Sequence, residues 1–192
     1  MPSTAKRRRI EMKSAVPPPQ AAPAPRQWLV LYVKSCMERK TAQRLAAMGI
    51  ESYVPVQTVT RRYSDRLKKM EQLVLPLVVF VHVTPSERRQ ALTLGAATRY
   101  LVLRGQHEPA VIPDEQLRQF RFMLDYSPEA VTFSSTPLAP GDPIRVIKGP
   151  LAGLEGELIT LEGHHQVFIR LDLLGCAHVA IPVGFVEKRP SR

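Results

Sequence analysis

The sequence has few cysteines and no long apolar run, and both shortages restrict its class. Its 192 residues include only two cysteines, Cys36 and Cys176, which are too far apart to form a disulfide framework or a zinc knuckle. The longest apolar run, Leu73–Val81, contains Pro76 and is too short to cross a bilayer. The basic run Lys6–Arg9 is followed by residues rich in proline and alanine, so it does not resemble a secretory signal. These features predict a cytoplasmic protein without a membrane partner.

The sequence also lacks the motifs of the common catalytic sites. We find no nucleophile elbow, no phosphate-binding loop and no metal-binding helix. His164 and His165 are adjacent between two predicted strands, but no third ligand is near them in sequence. Cys36 has no evident catalytic partner. The sequence therefore predicts a protein that is not an enzyme, has no metal site and needs no cofactor.

Acidic residues are too few to balance the basic ones, since 17 Asp and Glu face 27 Lys and Arg, for a net charge of +10. The excess is confined to residues 1–27, with net charge +5, and to residues 28–124, which carry 15 basic and 8 acidic side chains. Residues 139–190 carry 5 basic and 6 acidic side chains. A positive surface favours polyanions through counterion release. We therefore expect nucleic acid to meet the first part of the chain and a protein partner to meet the last part.

Proline-rich composition separates two predicted domains from their flanking segments. Residues 1–27 combine the basic run with five prolines between positions 17 and 25, which predicts a disordered tail. This tail is either a nonspecific nucleic-acid arm or a solvated segment. Residues 125–138 contain Ser127-Pro128 and Ser134–Pro137 and are predicted to be a linker. The predicted domains are therefore residues 28–124 and 139–190.

Residues 28–124 alternate between strand and helix patterns. The continuous apolar run Trp28–Val33 predicts a strand that is buried on both faces. Ser35 and Glu38 have the spacing of a capping box, and so do Thr84 and Glu87. The order β-α-β-β-α-β-α predicts an α+β fold, an antiparallel sheet of about four strands with helices packed against it. The further strands are predicted over residues 51–56, 77–83 and 98–103, and the helices over residues 37–48, 85–94 and 114–124.

A basic segment interrupts this pattern between Val59 and Gln72. It surrounds Ser64-Asp65 and lies between two β-prone runs, which predicts an exposed hairpin or loop with a basic tip. The basic residues of this segment are Arg61, Arg62, Arg66, Lys68 and Lys69.

Residues 139–190 contain short β-prone runs split by glycine and acidic turns. Five strands are predicted, over residues 144–147, 155–160, 167–171, 177–182 and 186–188, which is typical of a small SH3-like barrel. Glycines at this spacing allow a tight connection between the first two strands and a close approach of their backbones. The segment 141–158 resembles the KOW motif. The residues that carry this resemblance are Gly141, Val146, Gly149, Pro150, Gly153 and Gly156.

The domain in front of the barrel is similar to the amino-terminal domain of the NusG family. The similar segments are Trp28–Lys34, Ser52–Pro55, Leu75–Val81 and Val111–Asp114. With the barrel, the resemblance covers roughly residues 28–188, and the specialised paralogues of the RfaH and UpxY type look most similar. The family usually has Phe-Pro-Gly-Tyr before its Val-Phe-Val strand. This chain has Leu75-Pro76-Leu77-Val78 there, so the glycine and both aromatic residues are replaced.

The resemblance implies a transcription elongation or antitermination factor that is not an enzyme. It implies that the first domain docks an apolar surface onto the clamp helices of the largest subunit of RNA polymerase. The matching residues are Tyr32, Leu75, Pro76, Leu77 and Val78. It further implies that a polar helix start at Arg88, Arg89 and Gln90 faces the opposite jaw of the polymerase, which would hold the clamp closed. The alternative is that the apolar residues are sheet core and the polar ones a solvated helix face.

The resemblance also implies contacts beyond the clamp. Nontemplate DNA near the transcription bubble would meet a basic set, Arg39, Arg61, Arg62, Arg66, Lys68 and Lys69, which could equally be a solvated hairpin. The barrel would recruit a ribosomal protein or a termination factor, and we expect a monomer. The competing function is an RNA-binding or ribosome-associated KOW protein. The near-neutral charge of residues 139–190 argues against it, because RNA binding favours a basic surface.

Overall fold

The structure, a computed structural model, describes residues 25–62, 66–135, 140–161 and 163–189. Residues 1–24 of the predicted tail therefore lie outside the described residues. The first part contains β1 (Gln27–Val33), α1 (Glu38–Ala47), β2 (Glu51–Tyr53), β3 (Val56–Arg62), β4 (Leu67–Leu73), β5 (Val78–Val83), α2 (Pro85–Leu92), β6 (Ala97–Tyr100), β7 (Val111–Ile112) and α3 (Asp114–Tyr126). The second part contains β8 (Thr132–Ser134), β9 (Asp142–Val146), β10 (Glu155–Leu161), β11 (His164–Leu171), β12 (Gly175–Ala180) and β13 (Val186–Lys188).

The first part is built on an antiparallel sheet with strand order β2-β5-β1-β6, and β7 also pairs with β1. Alternate residues of β1 enter two cores. Val30 packs in a cluster with residues of α3, while Leu31 packs in a second cluster with Leu45 of α1 and Ala91 of α2. Both faces are therefore covered, which explains the continuous apolar run. The predicted α+β class is confirmed, with a fifth strand because Val111–Ile112 pairs with β1.

The two predicted capping boxes have different outcomes. At Thr84 the side chain accepts a hydrogen bond from the backbone N–H of Glu87, and the Glu87 carboxylate accepts one from the N–H of Thr84. This second bond, with the nearby Arg26, holds the pKa of Glu87 below its ordinary value. At Ser35 the prediction is wrong, since α1 begins only at Glu38 and its first turn has no side-chain cap. The physical reason is the left-handed backbone of Cys36, with φ of +59°, which excludes it from a helix.

The basic segment forms a two-stranded ribbon that stands apart from the sheet. Strands β3 and β4 pair antiparallel from Val56 opposite Leu73 to Arg62 opposite Leu67. The turn at residues 63–65 lies outside the described residues, and so do the side chains of residues 61 and 62. At the base of the ribbon, the buried Gln57 donates to the backbone oxygen of Glu129 and accepts from the N–H of Val131, each at 2.8 Å.

The second part forms a six-stranded antiparallel sheet with order β13-β9-β10-β11-β12-β8. Five of these strands follow residue 139, as predicted. The sixth, β8, lies in the predicted linker 125–138 and pairs with β12, and α3 continues into the same segment as far as Tyr126. That segment is ordered because Val131 is buried and is held by Gln57. The part of the linker that covers residues 136–139 lies outside the described residues.

An ion pair between β10 and β11 also holds the turn before β9. The guanidinium of Arg170 donates through Nε and Nη2 to the two carboxylate oxygens of Glu157, at 2.6 and 2.8 Å, and the N–H of Gly141 donates to Oε2 at 2.8 Å. Both side chains are about three-quarters buried. The bonds from Arg170 lower the pKa of Glu157 below its ordinary value of 4.5. Glu157 thus fixes both the strand pair and the turn before β9.

Replacing Glu157 by alanine is expected to lower the free energy of unfolding by about 1.5–3 kcal/mol, because charge-assisted hydrogen bonds are lost. Since the folded pKa is lowered, this contribution is present above the unfolded pKa and is lost as the pH falls through the folded pKa. Urea unfolding of both proteins should therefore differ at about pH 7 and converge as the pH falls below the folded pKa of Glu157. Replacing the exposed Glu187 of β13 is the control, and an equal loss there would contradict the prediction.

Helix α3 joins the two parts of the chain. The fully buried ring of Phe120 meets Phe80 of β5 edge-on at 6.2 Å and Phe133 of β8 edge-on at 6.4 Å between centroids. Polar contacts flank this stack. Gln116 exchanges hydrogen bonds with the backbone and the carboxylate of Asp172, and the Glu155 N–H donates to Gln119 at 3.3 Å. The barrel therefore rests on one side of α3 and the first sheet on the other.

Candidate functional site

The five residues predicted to dock onto the polymerase lie together where β1 meets the turn before β5, but they differ in accessibility. Leu75 and Val78 are 8% and 4% exposed and belong to the core cluster shared with α3. Tyr32 is half-buried and packs against that cluster. Pro76 and Leu77 are exposed. The accessible apolar surface is thus narrower than predicted, because Leu75 and Val78 point into the sheet core.

Leu77 has an unusual backbone for its residue type. Its φ is +65°, in the left-handed region, which costs a leucine roughly 1–2 kcal/mol. Leu77 thus adopts a backbone that favours glycine, the residue that the family usually has at this position. Two bonds hold it: the Leu77 N–H donates to Oε1 of Glu38 at 2.8 Å, and the Leu77 oxygen accepts from the N–H of Val33 at 2.9 Å. The Leu77 side chain that this turn carries is 42% exposed.

A cation lies on the neighbouring aromatic ring. The guanidinium of Arg99 in β6 is 5.0 Å from the centre of the Tyr32 ring, and the two residues are opposite each other in the β1–β6 pairing. Thr98 also donates its hydroxyl to the backbone oxygen of Tyr32 at 2.8 Å. Tyr32 is therefore fixed at the edge of the accessible apolar surface, with positive charge next to it. Sequence reasoning missed both Arg99 and Glu38, since neither contact is local in the chain.

The three polar residues predicted to face the opposite jaw, on α2, also differ in accessibility. Arg89 and Gln90 are exposed, whereas Arg88 is half-buried and pairs with Glu108 at 2.5 Å. The hydroxyl of Tyr100 donates to the backbone oxygen of Arg88 at 3.0 Å, and burial raises the pKa of Tyr100 to about 12. Tyr100 therefore remains a donor at neutral pH and fixes α2 on the sheet.

The predicted nucleic-acid residues are gathered on the ribbon and beside it. Arg66, Lys68 and Lys69 are exposed on or next to β4. Arg39 of α1 is exposed and pairs with Glu71 of β4 at 2.5 Å, which connects the helix to the ribbon. The backbone of Arg61 and Arg62 lies opposite Lys68 and Leu67. Five of the six residues thus belong to one ribbon, and the sixth is paired to it.

The glycines of the segment that resembles a KOW motif have the backbone roles that such a connection needs. Gly149 and Gly153 have φ of +82° and +93° between β9 and β10. A Cβ on Gly156 would lie 2.5 Å from the backbone oxygen of Phe168, so only glycine fits at this position of β10 beside β11. Val146 is buried in the barrel, Pro150 is exposed, and Gly141 donates to Glu157.

A cleft of about 490 Å³ lies between α3 and the first sheet. Trp28 and His82 stack there at 4.8 Å, and Arg121 lies 4.6 Å from the centre of the Tyr53 ring. Its floor is apolar and its rim carries charges of both signs, so it does not indicate one ligand class. Among the described residues, no cluster of three or more His, Cys, Asp or Glu could hold a metal ion. The described helices include none that is both long and apolar enough to cross a membrane.

Comparison with known protein families agrees with the family resemblance. The sequence profile described as "Transcription termination factor nusG" matches residues 26–121, half of the chain. Thermotoga maritima NusG is 18% identical over 85% of this chain and 97% of that one, with a TM-score of 0.47. A chain of the MjSpt4:Spt5 complex is 13% identical over 86% and 99%, with a TM-score of 0.29. No curated protein sequence matches. From the profile match over this domain, the chain belongs to the NusG family of transcription factors.

Proposed function

We propose that the chain is a transcription elongation and antitermination factor that binds RNA polymerase through its first domain. The observation that carries this proposal is the exposed turn of Pro76 and Leu77 beside Tyr32, in a domain of the NusG family. The partner surface is the pair of clamp helices on the largest polymerase subunit. Burial of apolar surface favours such docking by roughly 25 cal/mol per Å² before the costs of association.

The proposed mechanism contains no chemical step, and it needs neither a metal nor a cofactor. The factor favours the closed-clamp state of the polymerase over paused states by the difference in its affinity for the two. Arg89 and Gln90 are exposed on α2 and are available to the opposite jaw, while Arg88 is engaged by Glu108. A factor that touches both jaws stabilises the closed state most. The chain would act in the cytoplasm as a monomer.

The barrel is proposed to recruit a second protein, such as a ribosomal protein or a termination factor. Its near-neutral charge favours a protein partner over nucleic acid. One side of the barrel is occupied by α3, so a partner in this conformation would use the remaining surface. Ile147, which is 46% exposed after β9, belongs to that surface.

A pull-down with matched variants tests the docking surface. Leu77→Asp is expected to reduce recovery of RNA polymerase at least about tenfold, because a buried apolar contact is replaced by a charge. Leu77 is chosen over Leu75 because Leu75 is a core residue, whose replacement by aspartate would unfold the domain. Met48→Asp, at the far end of α1, is the control, since Met48 is 39% exposed. Equal recovery with both variants would exclude this docking site.

Nuclease treatment separates this function from its competitor. We expect the polymerase to remain bound after the lysate is digested with nuclease. Loss of the complex on digestion would instead favour an RNA-binding or ribosome-associated KOW protein. In a purified elongation assay, the chain is expected to shorten pauses, and Leu77→Asp is expected to abolish that effect.

A further inference from the structure

Two residues other than glycine have left-handed backbones in the described part of the chain, Cys36 and Leu77. Both lie near Glu38, Cys36 along the chain and Leu77 through a hydrogen bond. Cys36 lies two residues before Glu38, and the side-chain oxygen of Glu38 accepts the N–H of Leu77 at 2.8 Å. Such backbones persist only where the surrounding structure determines them, and they concentrate at functional positions.

Glu38 is built into the protein to hold this turn. It is the first residue of α1 and is 3% exposed, although buried carboxyl groups are costly without partners. On the other side of the turn, the N–H of Val33 donates to the Leu77 oxygen. With its N–H and its oxygen both fixed, Leu77 cannot turn inward, and its side chain stays 42% exposed. Leu77 is therefore an exposed apolar side chain on a fixed backbone.

The exposed charges beside Leu77 on β6 and at the end of β1 are positive. Lys34 and Arg99 are exposed at this end of the sheet, whereas the Glu38 carboxylate is buried and holds the N–H of Leu77. Arg99 lies over the ring of Tyr32, next to the accessible apolar surface. A complementary surface therefore presents an apolar hollow with a carboxylate beside it.

We propose that Leu77 determines the specificity of docking and that Glu38 is its positioning residue, with a carboxylate-flanked apolar hollow on a polymerase helix as the occupant. The inference rests on the proposed function, since it names the part of that surface which selects the partner. A glycine at residue 77 would keep the turn but present no side chain. This chain accepts a strained leucine instead, which gives it a contact that a glycine turn does not offer.

Two substitutions at residue 77 separate the side chain from the backbone strain. Leu77→Ala and Leu77→Gly each remove the exposed apolar side chain and should weaken binding of purified RNA polymerase core by at least about tenfold. Only Leu77→Gly relieves the left-handed strain, so its melting temperature should be at or above that of the unaltered chain. Met48→Ala is the control and should change affinity less than about twofold. Wild-type affinity for Leu77→Gly would overturn the proposal.

Substitutions of Glu38 test the positioning role. Glu38→Gln keeps a side-chain oxygen for the Leu77 N–H and should bind within about threefold of the unaltered chain. Glu38→Ala removes the acceptor and should bind at least about tenfold more weakly at a temperature where circular dichroism shows it folded. A merely structural role would lower stability in both variants without this difference in affinity. Equal affinity of Glu38→Ala and the unaltered chain would refute the positioning role.

A charge reversal at Arg99 tests the electrostatic part of the proposal. Arg99→Glu should weaken binding by at least about fivefold, and the loss should shrink at high salt. Arg104→Glu is the control, because Arg104 is exposed in the loop after β6. Absence of binding by the unaltered chain would refute the proposed function together with this inference. Tight binding that is insensitive to all substitutions at residues 77, 38 and 99 would refute the inference alone.

Discussion

Replacement of Phe120 by alanine is expected to lower the free energy of unfolding by about 3–5 kcal/mol. Phe120 is fully buried in α3, and its ring has an edge-on contact with Phe80 on one side and with Phe133 on the other. The truncation removes both contacts and leaves a cavity between the first sheet and the barrel. Few neighbours can close that cavity, because rigid strands line it on both sides.

The same substitution is expected to change the cooperativity of unfolding. In the unaltered chain, the core cluster runs from Val30 and Phe80 through α3 to Ile144 and Val167 of the barrel, so the two parts should unfold together. Without Phe120, the link is weaker and consists of the other buried residues of α3, Leu117, Met123 and Leu124, and the polar contacts of Gln116 and Gln119. Two separate transitions should then appear in calorimetry.

Fluorescence can assign the two transitions, because the chain has one tryptophan, Trp28, and it lies in the first sheet. Its emission should follow the first domain, while far-ultraviolet circular dichroism follows both. Phe122→Ala is the matched control on the same helix. Phe122 is half-buried and contacts Tyr126 at 4.7 Å, so about 1 kcal/mol should be lost and a single transition kept. A single transition in Phe120→Ala would show that the domains are coupled by other contacts.

The parts of the fold that were predicted correctly are those where the pattern is local. Strand β1 is a continuous apolar run because both of its faces are covered, and the helix at Thr84 is marked by a complete capping box. Strand β8 could not be found in the same way. It is only three residues long and sits among prolines and serines. Its order comes from Gln57, which is 74 residues away from Val131 along the chain.

The candidate site shows the same limit. Sequence similarity located the apolar turn, but it could not rank Leu75 and Leu77, which are two residues apart in one apolar run. Their exposure, 8% against 42%, depends on the left-handed turn at Leu77. That turn depends in turn on Glu38, which is 39 residues earlier in the chain. A long-range hydrogen bond therefore decides which side chain is accessible to a partner.

Reversal of two charges on the ribbon is expected to weaken binding of single-stranded DNA by at least roughly tenfold at low salt. Lys68 and Lys69 are exposed on adjacent positions of β4, so they point to opposite faces of the ribbon and can follow a backbone that crosses it. In Lys68→Glu/Lys69→Glu, two favourable phosphate contacts become repulsive. Fluorescence anisotropy with a labelled oligonucleotide of mixed sequence would measure the change.

The salt dependence distinguishes the ribbon from a general effect of net charge. Each lost phosphate contact should reduce the slope of log affinity against log salt by about 0.7, so the double variant should lose roughly 1.4. The control Arg104→Glu/Lys148→Glu changes the net charge equally, on an exposed loop and after β9, and should leave the slope nearly unchanged. Equal slopes for both variants would mean that the whole basic domain, and not the ribbon, attracts the DNA. A ribbon that stands apart from the sheet and carries cations on both faces can reach DNA while the apolar turn at Leu77 stays free for the polymerase.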